Sequence, residues 1–381
     1  MKVSSVSLLV SIIFCTSCVN DGQLTFVKVD ELEFHPGFLS NHKYIGIIDE
    51  NERMFYFGDP VTNKKIKFFR MNGELAYTVP LQSALSKVNS IKHFQVVSLD
   101  TILVFGDYNG KIAVIDRKGE IWRYRDLTKE VKPYNNVKVY YSTSYSGRFY
   151  QNGTLFMHFD YAAEHPEDEN LQPKEYFAYA LDYPYFLKID NVLDTGLLDY
   201  SFSLNRFYRR FMSDSCAMTE PFRYSLLGNQ MLISSIFSDS LYFISENFDR
   251  VESAIQIKSN RTSIGVRPVR LFEEDYMEYL NEEVSRKGYI AKVLYDKNKD
   301  FYLVVVCGKY SKSAPEDYEV TYCFYSRNGD KIEEVTFPIK KFTPKLIFEH
   351  DSKYHILVKT QGERKFNPEI DNYKFNVYEI H

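Results

Sequence analysis

Four arginines that lie close together in the sequence are the residues best suited to bind a ligand. They occur among Phe and Tyr side chains in the segment NRFYRRFMSDSCAMTEPFR, and they are Arg206, Arg209, Arg210 and Arg223. A guanidinium group forms bidentate hydrogen bonds with carboxylate or phosphate and stacks on aromatic rings. The segment therefore predicts a site for a carboxylate, phosphate or sugar-acid ligand, and the alternative is a solvated loop.

Three aspartates recur at one position of a repeated pattern. Asp59, Asp107 and Asp239 each follow an apolar, strand-like run. Carboxylate oxygens at the mouth of a pore are suited to calcium. An aspartate that begins a turn instead accepts hydrogen bonds from the backbone about two residues further on. Because the position recurs together with the turn, we interpret the aspartates as turn caps and keep a calcium site as the alternative.

Two cysteines, Cys307 and Cys323, lie in successive apolar runs. Residues placed in this way can face each other across a hairpin, but a disulfide requires a particular separation of the Cβ atoms. A bridge between Cys307 and Cys323 is therefore one interpretation, and two free buried thiols are the other. The cysteines do not have the spacing of zinc ligands.

The histidines do not form a recognisable metal or catalytic motif. They are scattered over predicted strands and loops, and they include His93, His158, His165, His350 and His355. His350 and His355 are an odd number of residues apart, so we expect them on opposite faces of a strand. The sequence also lacks a Ser-His-Asp order, a paired-carboxylate motif and a Gly-rich phosphate loop. It therefore predicts no catalytic residue, no metal and no cofactor.

The N-terminal residues have the pattern of a targeting signal. An apolar run from Val6 to Phe14 is too short to span a bilayer as a permanent helix. Thr16 and Ser17 directly precede Cys18, as in a bacterial lipobox, although Cys15 occupies the position where Leu is usual. We therefore predict that Cys18 is lipidated, and simple secretion is the alternative.

This interpretation divides the chain into three parts. Residues 1–17 are a lipoprotein signal peptide, residues 18–22 a lipidated tether, and residues 23–381 one β-propeller domain. Acyl chains on a terminal cysteine hold a domain on a membrane surface without crossing it. The expected location is the outer membrane, on its periplasmic or cell-surface side, with contact to the membrane through the lipid only.

Composition favours a large β-sheet domain. The 381 residues are 44% hydrophobic and 16% aromatic, with 31 Tyr and 30 Phe. Wide, flat side chains pack well on pleated sheets. The net charge of -4 gives no electrostatic reason to expect nucleic acid as a partner.

A repeated strand pattern organises the chain. Apolar alternation broken by Asn, Asp and Gly clusters is typical of an antiparallel meander. The pattern predicts blades at about Tyr44–Leu81, Val96–Leu127, Val137–Ile189, Tyr224–Ile257, Tyr289–Phe337 and Leu346–Ile380. The fold class is therefore all-β, with six blades of a propeller predicted and seven as the alternative.

Two further segments complete this prediction. Gln23 to Phe34 and Tyr373 to Ile380 both alternate like strands, so we expect the N-terminal strand to complete the last blade and close the ring. Phe272 to Lys287 has near-helical apolar spacing with Gly288 as a stop. We predict one inserted helix there.

The chain resembles the six-bladed propeller lipoproteins of unknown function found in Gram-negative gut bacteria. The resemblance extends from Gln23 to His381. It is based on the lipobox, on the motifs Phe57-Gly58-Asp59 and Phe105-Gly106-Asp107, and on the turns at Gly73, Gly119 and Gly329. These motifs are structural. The resemblance implies a fold and a location but transfers no activity and no catalytic residue.

The expected function is binding. A lipid-tethered propeller rich in aromatic side chains is suited to a glycan or protein partner on one face of its disc, and we expect a monomer without enzymatic activity. Fold alone does not determine function. The alternative is a glycan-active hydrolase or lyase with its site in the central channel.

Overall fold

The structure is a computed structural model of the whole chain. It describes residues 24–38, 40, 44–49, 52–107, 109–132, 148–151, 153–158, 186–203, 222–227, 230–245, 250–265, 282–283, 286–308, 319–337, 342–358 and 373–381.

The described chain forms strands in the order predicted for a meander. The first is β1 (Phe26–Phe34). The strands of the first three blades are β2 (Ile45–Asp49), β3 (Arg53–Asp59), β4 (Lys65–Arg70), β5 (Leu75–Pro80), β6 (Ile91–Ser98), β7 (Thr101–Gly106), β8 (Lys111–Ile115), β9 (Ile121–Asp126), β10 (Arg148–Gln151), β11 (Thr154–His158), β12 (Phe186–Asp190) and β13 (Asp199–Ser203). The remaining strands are β14 (Phe222–Leu227), β15 (Gln230–Ser235), β16 (Ser240–Ile244), β17 (Val251–Gln256), β18 (Tyr289–Asp296), β19 (Phe301–Cys307), β20 (Val320–Ser326), β21 (Lys331–Phe337), β22 (Phe342–His350), β23 (Lys353–Val358) and β24 (Tyr373–Ile380).

These strands form six four-stranded antiparallel sheets arranged in a ring. The chain is therefore a six-bladed β-propeller, as predicted, and the alternative of seven blades is wrong. Most predicted blade limits are close to the observed ones. The first strand of the second blade begins at Ile91 rather than near Val96. The third blade was predicted to end at Ile189, but it has a further strand, β13, at Asp199–Ser203, and its predicted start near Val137 lies outside the described residues.

The ring is closed by its two ends, as predicted. Strand β1 pairs with β24 in the order β1-β24-β23-β22, and the ladder runs from Phe26 opposite Ile380 to Phe34 opposite Tyr373. Two further hydrogen bonds between Thr25 and His381 extend it (2.9 and 3.1 Å). The sixth blade thus combines the first and last strands of the chain, and its outermost strand is supplied by the N-terminal end.

The core lies between neighbouring blades. Each described cluster of buried side chains joins two adjacent sheets, and the one between blades 6 and 1 is mostly aromatic. There the Phe55 ring lies 4.8 Å from the rings of both Phe34 and Phe375, measured between centroids. Aromatic pairs at this separation contribute about 0.5–1.5 kcal/mol beyond area burial. The high aromatic content of the sequence is therefore largely explained by these interfaces.

The repeated glycine turns place each blade against its neighbour. Gly73, Gly119 and Gly329 all have positive φ (84°, 79° and 90°). Each donates its N–H to the carbonyl three residues earlier, at 2.9 to 3.0 Å. A Cβ at Gly73 would lie 2.7 Å from Glu33 O and one at Gly119 2.4 Å from Pro80 O, on the outermost strand of the preceding blade. The glycines are thus required by backbone conformation and by the close contact between blades.

Most outermost strands carry a β-bulge. One extra residue interrupts the pairing of β1, β5, β9, β17 and β21, and these residues are Val29, Ala76, Trp122, Glu252 and Ile332. A bulge twists a strand and blocks pairing with another chain. The rim of the ring is therefore protected from edge-to-edge association.

Helices contribute little to the described fold. The sequence analysis missed α1 (Gln82–Val88), whose Ala84 and Val88 pack between blades 1 and 2. A short α2 (Leu127–Glu130) follows β9. Residues 272–281 of the predicted inserted helix lie outside the described residues. At its end, Lys287 N donates to Glu283 O (2.9 Å), a helical hydrogen bond. No helix among the described residues is long and apolar enough to cross a membrane.

We predict that Gly119→Ala destabilises the propeller more than Gly153→Ala. Both glycines have positive φ (79° and 88°), which costs an L-residue about 1–2 kcal/mol. Only at Gly119 would the new methyl group collide with the neighbouring blade, because nothing lies within 4 Å of a Cβ at Gly153. Urea denaturation of both variants measures the difference. Equal losses of unfolding free energy in the two variants would contradict the proposed role of the Gly119 turn in blade packing.

Candidate ligand-binding site

The two faces of the ring differ strongly in the length of their connections. Alternation of strand direction puts the connection between the second and third strands of each blade, and the connection to the next blade, on one face, here called the upper face. It carries all the long connections, which are 127–147, 159–185, 204–221, 257–288, 308–319 and 359–372. On the lower face, no connection is longer than 191–198. Long connections on one face of a rigid ring are typical of a binding surface.

The segment that contains most of the predicted arginine cluster connects two strand ends of the upper face, those of β13 and β14. Arg206, Arg209 and Arg210 lie in the connection from β13 to β14, outside the described residues. Arg223 is in β14, the innermost strand of blade 4, and its side chain is likewise outside the described set. The arginine site therefore stays a prediction.

Hydrogen bonds join the innermost strands of successive blades around the channel. Tyr44 donates its hydroxyl to Lys92 O (2.6 Å), which connects blades 1 and 2. The Gln95 amide bonds both backbone groups of Tyr150, donating to its O (2.8 Å) and accepting from its N (2.6 Å). Lys292 Nζ donates to Ile347 O (2.6 Å) and connects blades 5 and 6. The channel wall is thus held by side chains at three of its seams.

Lys292 is the most unusual of these groups. Its Nζ lies 4.6 Å from the centroid of the Phe348 ring, a favourable cation–π position. Among the described residues no carboxylate pairs with it. Desolvation lowers the pKa of Lys292 to about 8. Lys292 was not predicted from the sequence, because a lysine in the alternating run YIAKVLYD is typical of a solvent-facing position in a strand.

A second group of titratable side chains lies at the lower mouth of the channel, between blades 6 and 1. His350 Nε2 lies 3.2 Å from Asp49 Oδ2 and 3.6 Å from Asp351 Oδ2. Arg53 also pairs with Asp351. Desolvation, followed by the charge of Arg53, lowers the pKa of His350. We name Asp49, Arg53, His350 and Asp351 the lower-mouth cluster.

His355 lies above this cluster, in β23. It is 2% exposed and its ring lies 5.6 Å from that of Phe55, edge to face. Burial lowers the pKa of His355 to about 4. The ladder pairs Phe348 with His355 and His350 with Lys353, so both histidines face blade 1. The expectation of opposite faces was wrong, because a hairpin turn separates the two residues and their spacing along one strand does not apply.

The carboxylates next to this cluster are engaged in structural contacts. Asp296 Oδ2 accepts from the Tyr354 hydroxyl (2.6 Å) and Oδ1 from the Ser352 hydroxyl (2.8 Å), which ties blade 5 to blade 6. Glu349 accepts from Ser352 N (3.0 Å), and burial raises the pKa of its carboxyl group. These acids therefore stabilise the hairpin and the seam between blades.

The recurrent aspartates do not all have the role predicted for them. Asp59 caps its turn as expected, since its oxygens accept from the N–H groups of Val61, Thr62 and Asn63 (3.2, 2.9 and 3.0 Å). In blade 2, Asn109 accepts from the N–H of Lys111 (3.0 Å) in place of Asp107.

In blade 4 the Ser238 hydroxyl accepts from the N–H of Ser240 (3.1 Å), while Asp239 binds the side chains of Ser240 and Gln256. The turn is thus conserved between blades, but the capping residue is not. No three acidic, His or Cys side chains within the described ranges could hold a metal ion.

Cys307 and Cys323 are free, buried thiols. Cys307 lies opposite Val320 and Cys323 opposite Val304, so the two side chains are on opposite faces of blade 5. Cys307 packs toward blade 6 and Cys323 toward blade 4. The disulfide interpretation is therefore wrong, and burial raises the pKa of the Cys323 thiol to about 12.

Comparison with solved structures gives the fold a wider context. A member of the DUF4221 family from Bacteroides vulgatus superposes with a TM-score of 0.64 and 16% identity, covering 95% of this chain and 99% of its own. A protein from Bacteroides fragilis superposes with a TM-score of 0.51 and 13% identity, covering 96% and 98%. At these identities the likeness establishes the fold alone. No family model and no curated protein matches the chain.

We predict that Lys292→Met raises the stability of the propeller at pH 7, and that this gain over the wild type is smaller at pH 10. The unfolded chain holds the Lys292 proton with a pKa near 10.5 and the folded chain with one of about 8. Between these values the unfolded chain binds more protons, so the free energy of unfolding of the wild type rises with pH. The melting temperature of the variant should exceed that of the wild type at pH 7, with the gap narrowing toward pH 10. A difference in melting temperature that does not change with pH would contradict the lowered pKa of Lys292.

We predict that His355→Phe reduces acid destabilisation. Burial lowers the pKa of His355 to about 4 in the folded chain, whereas an exposed histidine has a pKa of about 6.5. As pH falls from 6.5 toward 4, the unfolded chain takes up a proton that the folded chain does not, and stability is lost. Urea midpoints at pH 7, 5.5 and 4.5 should fall less in the variant. Replacing His35, whose side chain is 64% exposed, serves as the control and should leave the slope unchanged.

Proposed function

We propose that the chain is a lipid-anchored, extracytoplasmic β-propeller that binds a glycan or protein partner and does not catalyse a reaction. The observation that carries the proposal is the asymmetry of the ring. All the long connections, including the one that contains the arginines, belong to the upper face. A rigid scaffold with tight turns on one face and long segments on the other resembles a binding protein more than an assembly of catalytic side chains.

The predicted anchor agrees with this arrangement. Strand β1 begins on the lower face, because it is the fourth strand of its blade and runs toward the upper face. Cys18 precedes Leu24 by few residues, which span at most about 20 Å when fully extended. A lipid on Cys18 would therefore hold the lower face toward the outer membrane and leave the upper face accessible to a partner. A monomer suffices for such an arrangement.

The alternative, a glycan-cleaving enzyme, has one observation in its favour. Acidic and His side chains do converge at the lower-mouth cluster. However, Asp351 pairs with Arg53, and Asp49 contacts His350. A general acid or base must reach the substrate proton within hydrogen-bonding distance. Carboxylates that are already paired at a seam between blades are better suited to hold the ring together.

We predict that replacing Arg206, Arg209 and Arg210 together with Ala abolishes ligand binding without unfolding the ring. A thermal-shift screen of the chain from Val19 onward, with glycans, sugar acids, peptidoglycan fragments and divalent metals, supplies the ligand. Saturation at a hundred times the dissociation constant stabilises a fold by about 2.7 kcal/mol. Arg117→Ala, which removes an ion pair with Asp100 on the lower face (2.6 Å), is the matched control and should keep the shift.

Product analysis of any bound glycan separates the two functions. A sugar that shifts the melting temperature and is recovered intact supports binding, whereas a cleaved sugar overturns it in favour of the enzyme. If no compound shifts the melting temperature, capture of a membrane protein by the wild type, and not by the triple variant, supports a protein partner. Failure of both experiments refutes the proposal.

A further inference from the structure

Within the described residues, the ammonium group of Lys292 has no carboxylate at ion-pair distance, whereas several other lysines do. Lys188, Lys353 and Lys374 each lie beside a carboxylate, that of Asp190 (3.0 Å), Glu379 (3.5 Å) and Glu31 respectively. Lys292 instead has the carbonyl of Ile347 and the face of Phe348. A partly buried cation without a paired charge is costly. Since an ammonium has three N–H donors, two of them remain for another acceptor.

Phe348 offers the second half of a recognition site. Its ring is held edge to face against Phe55 and Phe375, at centroid distances of 6.0 and 6.2 Å. Both Phe348 and Lys292 remain partly exposed. They belong to β22 and β18, the innermost strands of two adjacent blades, which border the channel. A fixed aromatic ring beside an ammonium that no described carboxylate pairs with is therefore available to a molecule that enters the channel.

A carboxylate supplies the negative charge and the hydrogen-bond acceptors that suit Lys292 and Phe348. Its oxygens can accept the two remaining N–H groups, and its single negative charge balances the single ammonium. An apolar surface next to the acid would pack against the Phe348 ring, as in pockets that combine aromatic walls with a few placed polar groups. Sugar acids join both features in one residue, because the carboxylate projects from a ring with an apolar CH face.

We propose that Lys292 and Phe348 recognise the acidic unit of a uronate-containing glycan on the inner wall of the channel, between blades 5 and 6. The inference rests on the proposed function and narrows it to a ligand class. It concerns the channel wall and is separate from the arginine segment of the upper face. A longer glycan could contact both.

Lys67 provides a matched control on the same molecule. Its Nζ donates to Pro36 O (2.7 Å) and lies 5.7 Å from the Phe38 ring, so its contacts are of the same kind. Lys67, however, lies on β4, the third strand of its blade, and the Phe38 ring is 2% exposed. Replacing Lys67 therefore removes a lysine that has similar contacts but does not border the channel.

The experiment compares acidic and neutral glycans by isothermal titration calorimetry. The chain from Val19 onward, which retains every described strand, is titrated with galacturonate oligosaccharides and with galactose oligosaccharides of equal length. We expect the wild type to prefer the uronate at least tenfold. Lys292→Met should remove this preference, Lys292→Arg should restore part of it, and Lys67→Met should keep it. Inorganic phosphate is included as a second anion, and competition by it at equal affinity would contradict a carboxylate site.

The outcomes separate this inference from the function on which it rests. Uronate binding that Lys292→Met leaves unchanged overturns the inference and leaves the binding function intact. Preference for the neutral glycan does the same. If the wild type binds neither glycan, the inference fails, and capture of a protein partner then decides the proposed function. Circular dichroism of each variant confirms that the ring is folded.

Discussion

The pairing of β1 with β24 is the interaction on which the rest of the structure depends. A propeller blade has two apolar faces, and each is covered only when the next blade is in place. Without β1, the sixth blade would lack its outermost strand, and Phe34 would be missing from the aromatic cluster between blades 6 and 1. Closure thus completes a hydrogen-bond ladder and a hydrophobic seam at once. The two ends of the chain, which contain alternating strands, are fixed by the same contact.

This constraint also explains which parts of the structure could be predicted from the sequence. The turns at Gly73, Gly119 and Gly329 are local features of the chain. Their positive φ and their close contact with the preceding blade both require glycine at this position, so the repeat can be recognised in the sequence. Helix α1 is only two turns long, and its few core contacts, through Ala84, Leu85 and Val88, give too little periodicity to detect. Asp59, Asp107 and Asp239 look equivalent in sequence, but a turn can be capped by any nearby Asn, Ser or Asp. Contacts across strands were not accessible from spacing, as His350 and His355 demonstrate.

The unequal faces follow from the same packing. Turns of the lower face include the glycines that contact the preceding blade, where an inserted residue would separate the two sheets. Extra residues in a connection that is not held between two sheets cost mainly loop entropy, which grows slowly with length. Long segments therefore accumulate on one face without weakening the ring. This difference is the physical basis on which we propose partner binding at the upper face and the anchor at the lower one.

Electrostatics separates stabilising polar groups from those available to a ligand. At the seam between blades 5 and 6, Asp296 has both oxygens bound by hydroxyl groups and lies fully within the wall. Lys292 belongs to the same seam but has no opposite charge within the described part of the chain. Stability alone favours an apolar residue at such a position, because a half-buried charge pays for desolvation without a compensating pair. Positions where a sequence departs from local optimality are typically functional. The ammonium of Lys292, which pairs with no described carboxylate, is therefore the feature of the channel wall that supports the proposal of an anionic ligand.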